Sequence, residues 1–297
     1  MHLFERFGMG IGMSKLTMKA YAKINLGLDV VRRLENGYHQ VKMVMQTVGI
    51  ADVLTFEKRA EGIVITTDAG ELPTDENNLI YKAARLMKER FGIEEGVTVH
   101  LEKHIPIAAG MAGGSTDAAA TLKGMRELFG LDCTDQELRE IGVKIGADVP
   151  YCVMGGTALA EGIGEVLTVL PAAPDCILVV AKPDINVSTK YVYEHLDAMD
   201  GYAHPDIDGM VEAIKEGCLA GVVERLGNVL ETVTVEAHPI IDVIKQKMLE
   251  LGAEGSLMSG SGPTVFGIFT DKEKAEKACA QIAEAQLAKQ VFVTNFV

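Results

Sequence analysis

The stretch Pro106-Ile-Ala-Ala-Gly-Met-Ala-Gly-Gly-Ser-Thr-Asp-Ala-Ala-Ala120 places a glycine-rich turn directly before a predicted helix. Gly110, Gly113 and Gly114 have no Cβ atom, so the backbone there can take positive φ and approach a ligand closely. Residues 115–117 are of types that start helices, and apolar side chains follow at three- and four-residue steps. Because a helix N-terminus has unpaired N–H groups and partial positive charge, the stretch predicts a phosphate site. A plain tight connection between two elements is the alternative.

Two common phosphate-binding loops are excluded by the same residues. No Gly-Lys-Ser/Thr follows the glycines, so the stretch is not a Walker A loop. The first Gly-x-Gly pair of a dinucleotide fingerprint is missing, and the chain lacks strict βαβ alternation, which argues against a dehydrogenase. The loop therefore indicates phosphate binding on a different scaffold.

The bulk composition excludes several classes of protein. A chain of 297 residues that is 48% hydrophobic can form one large domain or two lobes. A net charge of −14 argues against nucleic-acid binding, although the local field of a pocket can still accept a small anion. No apolar run is long enough to cross a membrane. The five cysteines are widely spaced without a CxxC pair, which fits free thiols in a reducing cytoplasm.

The pattern of elements predicts an α+β chain of two lobes, residues 18–168 and 169–297, with a cleft between them. We expect residues 1–17 to be a disordered extension. The alternative is that they are present because an upstream start codon was chosen in place of a later one. The predicted strands cover 18–31, 41–50, 53–57, 62–67, 97–101, 176–181, 265–269 and 291–295, and the predicted helices 77–91, the segment after the glycine loop, 134–145, 188–199, 207–215, 219–226, 238–251 and 271–285.

Two charged positions are candidates for catalysis. Lys23 and Asn25 lie on one side of the first predicted strand, because side chains alternate along a strand, and a polar edge strand facing water is the alternative. Pro150 is expected to keep Val149 extended and to end the preceding helix before Asp148. A carboxylate at the negative end of a helix is unfavourable, which suggests a functional role for Asp148; a turn-forming residue is the alternative.

Two further patterns suggest ligand binding. Tyr38 and His39 follow a predicted hairpin turn at residues 35–37, and such a pair can stack on a base and hydrogen bond to it. The alternative is a tyrosine that covers a sheet edge. The segment Ser259-Gly-Ser-Gly-Pro-Thr264 offers a second loop of backbone donors, or an ordinary turn between strands.

In this order and spacing the patterns resemble the GHMP small-molecule kinases. Residues 106–116 resemble the nucleotide loop of that family, and residues 260–267 (GSGPTVFG) resemble its C-terminal glycine motif. Residues 22–28 (AKINLGL), 36–39 (NGYH) and 146–150 (GADVP) resemble the members that act on a cytidyl diphosphate alcohol. The resemblance runs from about Met18 to the C-terminus. It implies an N-terminal α/β lobe like domain 2 of ribosomal protein S5, a ferredoxin-like C-terminal lobe, and an active site in the cleft.

The resemblance also implies a reaction, in which ATP phosphorylates the 2-hydroxyl of 4-diphosphocytidyl-2-C-methyl-D-erythritol in non-mevalonate isoprenoid synthesis. Asp148 would accept the hydroxyl proton, and Lys23 would stabilise the developing charge. Tyr38 and His39 would recognise the cytosine. Tyr193 would stack on its other face, and Asn25 would bind near the diol or the phosphates. The residues implied for ATP are Pro106, Ile107, Ala108, Ala109, Gly110, Met111, Ala112, Gly113, Gly114, Ser115 and Thr116.

The implied cofactor set is ATP with Mg²⁺, whose ligands are not identifiable, although the Ser115 hydroxyl is a candidate. Ala112 replaces a glycine of the commoner loop, so we expect a negative φ at this residue. A kinase of the same family for homoserine or mevalonate and a non-catalytic nucleotide-binding protein are the rival hypotheses. The base-binding pair at 38–39 argues against the first rival, and Lys23 with Asp148 argues against the second. No oligomeric state is predicted.

Overall fold

A computed structural model describes residues 13–199 and 201–297. The elements in chain order are β1 (Lys15–Arg33), β2 (His39–Arg59), β3 (Ile63–Thr67), α1 (Leu79–Phe91), β4 (Gly96–Glu102), α2 (Gly113–Phe129), α3 (Asp135–Val143), α4 (Val149–Met154), β5 (Thr157–Glu161), β6 (Val166–Val169), β7 (Ile177–Lys182), α5 (Thr189–Leu196), α6 (Ile207–Lys215), α7 (Leu219–Val223), β8 (Gly227–Asn228), α8 (Glu231–Ala237), α9 (Ile240–Glu250), β9 (Gly255–Met258), β10 (Val265–Phe269), α10 (Lys272–Glu284) and β11 (Gln290–Asn295).

A long antiparallel hairpin of β1 and β2 forms the centre of the first sheet, whose strand order is β3-β4-β2-β1-β8, with β5 and β6 attached beside β2. The predicted strands 41–50 and 53–57 are therefore one strand. The expected extension is wrong over residues 15–17, because these pair with β2, whereas residues 1–12 lie outside the described part of the chain. Register shifts in β1 between Tyr21 and Lys23, and between Asn25 and Gly27, re-aim the side chains near the candidate site.

Helix α2 packs against this sheet with the apolar face that the sequence predicts. Ala118, Leu122 and Met125 are buried in one core with Phe56 of β2. Gly124 lets the helix approach closely, since a Cβ there would come within 2.7 Å of the Phe56 ring. The start of α2 is therefore fixed relative to the strands that carry the polar candidates.

The second sheet has the order β11-β7-β10-β9 and is antiparallel throughout. The C-terminal half of the chain is joined to the first sheet at two places, because β8 pairs in parallel with β1 and Phe296, just after β11, forms a bridge with Val48. Buried side chains from both halves also mix in shared hydrophobic cores. The division at residues 168 and 169 stays a prediction. No helix in the described ranges is long and apolar enough to cross a membrane.

Two local expectations are wrong. Ala112 has φ +56, not a negative value, and it is the N-cap of α2, which therefore begins at Gly113, before residues 115–117. The helix that contains the Thr134–Glu137 capping box ends at Val143, and Asp148 is instead the N-cap of the next helix. Proline is favourable in a first turn, where no N–H donor is needed, so Pro150 lies in the first turn of α4, and Val149 begins that helix and is not extended as predicted.

Candidate active site

Two cavities adjoin at the glycine loop that precedes α2. The larger, of about 590 Å³, lies between the β1–β2 hairpin, α5 and the second glycine loop. The smaller, of about 430 Å³, lies between the glycine loop and the start of α1. Gly110, Ala112 and Ser115 line both cavities, so this loop is their shared wall. All six side chains that the sequence predicts for catalysis and substrate binding line the larger cavity: Lys23, Asn25, Tyr38, His39, Asp148 and Tyr193.

Lys23 and Asp148 meet on the wall of the larger cavity. The Lys23 ammonium lies 3.8 Å from Asp148 Oδ2, which is ion-pair distance and slightly longer than a hydrogen bond. Lys23 is 5% exposed and donates a hydrogen bond of 2.7 Å to Asn25 Oδ1. The predicted pairing of positions 23 and 25 on one strand face is confirmed by that bond. The Asp148 carboxylate has no capping hydrogen bond in α4 and is one-third exposed, so it is accessible to a ligand.

The glycine loop presents backbone donors at the start of α2. Thr116 N–H donates to the Ala112 carbonyl, whereas the N–H groups of residues 113–115 donate no hydrogen bond within the described ranges. Unpaired N–H groups at a helix N-terminus are suited to bind phosphate. Two predicted loop residues line neither cavity, since Met111 is buried and Thr116 donates its hydroxyl to the Tyr21 carbonyl. Those that line the smaller cavity are Pro106, Ile107, Ala108, Ala109, Gly110, Ala112, Gly113, Gly114 and Ser115.

The second glycine loop packs directly on the first. Ser259 Oγ accepts a hydrogen bond from Asn25 N–H (3.3 Å) and donates one to the Gly110 carbonyl (3.1 Å). Gly110 has φ +69 and lies against Ser259 so closely that a Cβ would clash with its backbone. The predicted second loop thus fixes the position of the first, and Gly260 and Ser261 complete the wall of the larger cavity.

Aromatic side chains form the far end of the larger cavity. The rings of His39 and Tyr193 are 4.6 Å apart at an interplanar angle of 33°, whereas Tyr38 is 59% exposed at the rim. Burial, with a smaller contribution from Asp148, raises the pKa of Tyr193 to about 12, so its hydroxyl stays protonated. An aromatic rim with an imidazole can bind a flat polar ring.

Models of known families match both halves of the chain. The model of the GHMP kinases N-terminal domain matches residues 78–156, and that of the GHMP kinases C-terminal domain matches residues 210–288. Relatives named 4-diphosphocytidyl-2-C-methyl-D-erythritol kinase are 56% identical in Lachnospira eligens, over 95% of this chain and 99% of theirs, and 50% identical in Lachnoclostridium phytofermentans, over 96% and 98%. The chain belongs to the GHMP kinase family.

Solved structures agree with that membership. A crystal structure of 4-(cytidine 5'-diphospho)-2C-methyl-D-erythritol kinase superposes with a TM-score of 0.81 at 31% identity, covering 95% of this chain and 99% of the other. Homoserine kinase from Cytophaga hutchinsonii superposes with a TM-score of 0.77 at 21% identity, covering 99% and 96%, which shows a common fold alone. The predicted α+β fold of a GHMP kinase is thereby confirmed, and it contains two sheets.

This GHMP kinase has a buried charged cluster that sequence reasoning missed. Lys103 contacts Asp52 of β2 and lies 3.0 Å from Asp117 Oδ2 of α2. Asp52 also accepts hydrogen bonds from the N–H groups of His104 and Ile105, so the cluster fixes the chain that enters the glycine loop. Burial raises the pKa of Asp117 to about 8; the Lys103 ammonium opposes this shift and Asp52 adds to it. No local motif pairs residues 52, 103 and 117, so only the fold reveals the cluster.

The residues of this GHMP kinase offer few ligands for a metal ion. No group of three or more His, Cys, Asp or Glu side chains among the described residues is arranged to bind one. The Asp117 carboxylate already contacts the Lys103 ammonium. The Ser115 hydroxyl, beside both cavities, remains the candidate oxygen ligand for a metal ion. A carboxylate cage for Mg²⁺ therefore does not fit this site.

Proposed function

We propose that the chain transfers the γ-phosphoryl group of ATP to the 2-hydroxyl of 4-diphosphocytidyl-2-C-methyl-D-erythritol. The observation that carries this proposal is the Lys23–Asp148 pair at 3.8 Å, at the end of the larger cavity that adjoins the glycine loop. Relatives at 56% and 50% identity over nearly the whole chain are named as kinases of this substrate, which supports the choice of substrate.

In this proposal ATP occupies the smaller cavity. Leu72, Pro73 and Leu79 give that cavity an apolar wall suited to a heterocyclic base, and the unpaired N–H groups of residues 113–115 receive the phosphates. Mg²⁺ would accompany ATP and neutralise phosphate charge. The residues that the structure describes form no acidic cage, so phosphate and water oxygens would supply most of the ligands of the Mg²⁺ ion.

The transfer step needs a positioned alcohol and a stabilised anion. The 2-hydroxyl oxygen forms a bond to the γ-phosphorus while the bond to the β–γ bridging oxygen breaks, releasing ADP, and Asp148 accepts the hydroxyl proton. Lys23 stabilises the charge that develops on the transferred group. Asn25, two residues along the same strand, accepts a 2.7 Å hydrogen bond from the Lys23 ammonium and so keeps it in place for the reaction.

The cytidyl end of the substrate occupies the aromatic rim. Tyr38 and Tyr193 would stack on the two faces of the cytosine, and His39 would hydrogen bond to its edge. Homoserine and mevalonate contain no base, so this rim argues against the rival kinases of the same fold. A non-catalytic binder has no need for Lys23 and Asp148 at the junction of the cavities.

Purified protein incubated with ATP, Mg²⁺ and the cytidyl diphosphate substrate should release ADP and form a product carrying one additional phosphate, measured by mass spectrometry. Homoserine and mevalonate are the control acceptors and should give no ADP above background. ADP formation with a control acceptor but not with the cytidyl substrate would reject the proposal.

We also propose a cytoplasmic location, because the five cysteines are all free thiols.

A further inference from the structure

Asp197, at the C-terminal end of α5, contacts two side chains of the β1–β2 hairpin. Its Oδ1 lies 2.8 Å from His39 Nε2, and its Oδ2 lies 3.4 Å from Arg33 Nη1. All three residues line the larger cavity. A carboxylate at a helix C-terminus meets the negative end of the dipole, so these contacts must compensate for an unfavourable place.

The contacts determine which hydrogen-bonding group His39 presents. A guanidinium is permanently positive, and a carboxylate in contact with it accepts hydrogen bonds and donates none. His39 Nε2 therefore carries the hydrogen that it donates to Asp197. In a neutral imidazole the other nitrogen, Nδ1, is then an acceptor. No hydrogen bond to Nδ1 is formed within the part of the chain that the structure describes, so this atom remains for a ligand.

We propose that Asp197 is a positioning residue that makes His39 select an amino-bearing base over a keto-bearing one. This inference rests on the proposed function, because it places the cytosine beside His39. Cytosine carries an N4 amino donor where uracil carries the O4 acceptor. An acceptor at Nδ1 accepts a hydrogen bond from the N4 amino group of cytosine. The O4 oxygen of uracil is itself an acceptor, so it would face Nδ1 without a hydrogen bond. A site that hydrogen bonds to a ligand group in this way rejects the analogue that cannot make the bond.

The test compares the cytidyl substrate with its uridyl counterpart in wild-type protein and in Asp197→Asn. An asparagine can donate or accept, so it no longer dictates the His39 tautomer. The ratio of kcat/KM for the two substrates should fall about tenfold, through a higher KM for the cytidyl substrate, with kcat and the KM for ATP within about twofold. Asp184→Asn is the matched control, since it makes the same substitution at an exposed carboxylate 3.1 Å from Lys289 that does not line the larger cavity, and it should leave the ratio unchanged.

A double-mutant cycle separates positioning from a general structural effect. In a His39→Ala background, Asp197→Asn should change the substrate ratio by less than about twofold, because the group that it positions is gone. An unchanged ratio in Asp197→Asn, or an equal fall in the His39→Ala background, would overturn the inference while the proposed function stands. If a variant lacks activity, the ratio of the dissociation constants for cytidine and uridine diphosphates, measured by calorimetry, gives the same test. Wild-type protein without activity on the cytidyl substrate would overturn the proposed function itself.

Discussion

Asp148, the proposed general base, faces the Lys23 ammonium from the start of α4. The sequence predicts an unfavourably placed carboxylate at a helix C-terminus, whereas the residue is the N-cap of α4, where a negative charge is favourable. Its carboxylate caps no N–H group and lies 3.8 Å from the Lys23 ammonium. The position of Asp148 therefore needs no strain, and the proposed role depends on the facing ammonium alone.

The variant Asp148→Asn should fold and bind ATP but lose turnover. An amide has nearly the same shape as the carboxylate, but it cannot accept the hydroxyl proton, and a general base contributes about 10²- to 10⁴-fold to rate. We expect kcat to fall by about that factor, measured by ADP release, with the dissociation constant for ATP nearly unchanged. A variant that keeps most of its kcat would remove Asp148 from the mechanism.

Tyr38→Ala should weaken binding of the cytidyl substrate and leave ATP nearly unaffected. Stacking of one base on an aromatic ring is worth about 1–3 kcal/mol, so KM for this substrate should rise about 5- to 160-fold. Tyr191→Ala is the control, because that exposed tyrosine lies on α5 but does not line the larger cavity. Equal losses for both substrates in Tyr38→Ala would contradict its assignment to the base.

At the scale of an element, the glycine loop depends on two alanines in a conformation that usually requires glycine. Ala108 has φ +51 and Ala112 has φ +56, which is the left-handed region. Sequence reasoning assigns positive φ to the glycines and a negative value to Ala112, because residue type is the only local signal available. Packing decides otherwise, since the loop is fixed by Ser259 on one side and by the first turn of α2 on the other.

Ala112→Gly should therefore stabilise the protein. A left-handed alanine costs about 1–2 kcal/mol, and the extra backbone freedom of glycine in the unfolded chain offsets part of the gain, leaving about 0.5–1 kcal/mol. The free energy of unfolding in urea measures this. Ala109→Gly is the matched control in the same loop, because Ala109 is not among the residues with positive φ, and it should destabilise. A loss of stability in Ala112→Gly would mean that the left-handed conformation is not strained.

The charged cluster below the loop should make stability depend on pH through Asp117. The pKa of this carboxyl is 3.8 in the unfolded chain and about 8 in the folded one, so between these values the folded state holds a proton that the unfolded state has lost. Its stabilising contribution is complete below about pH 4 and is lost as the pH rises toward 8. Asp117→Asn removes this titration. Relative to wild type, the variant should gain about 1–4 kcal/mol in unfolding free energy between pH 5 and pH 8.

Urea unfolding of both proteins at the two pH values measures this difference. Because other titrating groups are common to wild type and variant, their contributions cancel in the comparison. A difference that is the same at pH 5 and pH 8 would show that Asp117 titrates near its ordinary value.

At the scale of the molecule, the two sheets are connected through Asn228 of β8. Its side-chain amide donates hydrogen bonds of 2.8 Å to the carbonyls of Met258 and Gly260, while its strand pairs with β1. The second glycine loop is thereby attached to the sheet that carries Lys23. A two-residue strand has no signal in the sequence, which is why this connection could not be predicted.

Asn228→Ala should destabilise the protein, because it leaves two buried carbonyls without donors. Each unsatisfied group costs about 1–3 kcal/mol, so the free energy of unfolding should fall by at least about 2 kcal/mol. Asn186→Ala is the control, since that exposed side chain accepts only a long 3.4 Å bond from Lys182. Equal effects of the two substitutions on the unfolding midpoint would contradict the bridging role of Asn228.

The sequence predicts most residues of the candidate site, but not the residues that hold them in position. The glycine loops, Lys23, Asn25 and Asp148 lie in short motifs whose chemistry is visible locally, and most predicted helices and strands lie close to their observed bounds. Residues that act through distant partners escape such reasoning. Asp197 meets His39 across 158 positions, and Lys103 meets Asp52 across 51, and neither separation corresponds to a helical or strand repeat. Only the packing of the elements brings these pairs together.

The common wall of the two cavities also has a consequence for inhibitor design. Gly110, Ala112 and Ser115 border both cavities, so in the proposed arrangement ATP and the cytidyl substrate lie side by side across a single turn of backbone. One compound that joins a nucleoside to a pyrimidine-bearing arm through a short tether loses translational and rotational entropy once on binding. Two separate molecules lose that entropy twice. Such a bivalent ligand should bind far more tightly than either half, and kinases with only one of the two chambers would not share that gain.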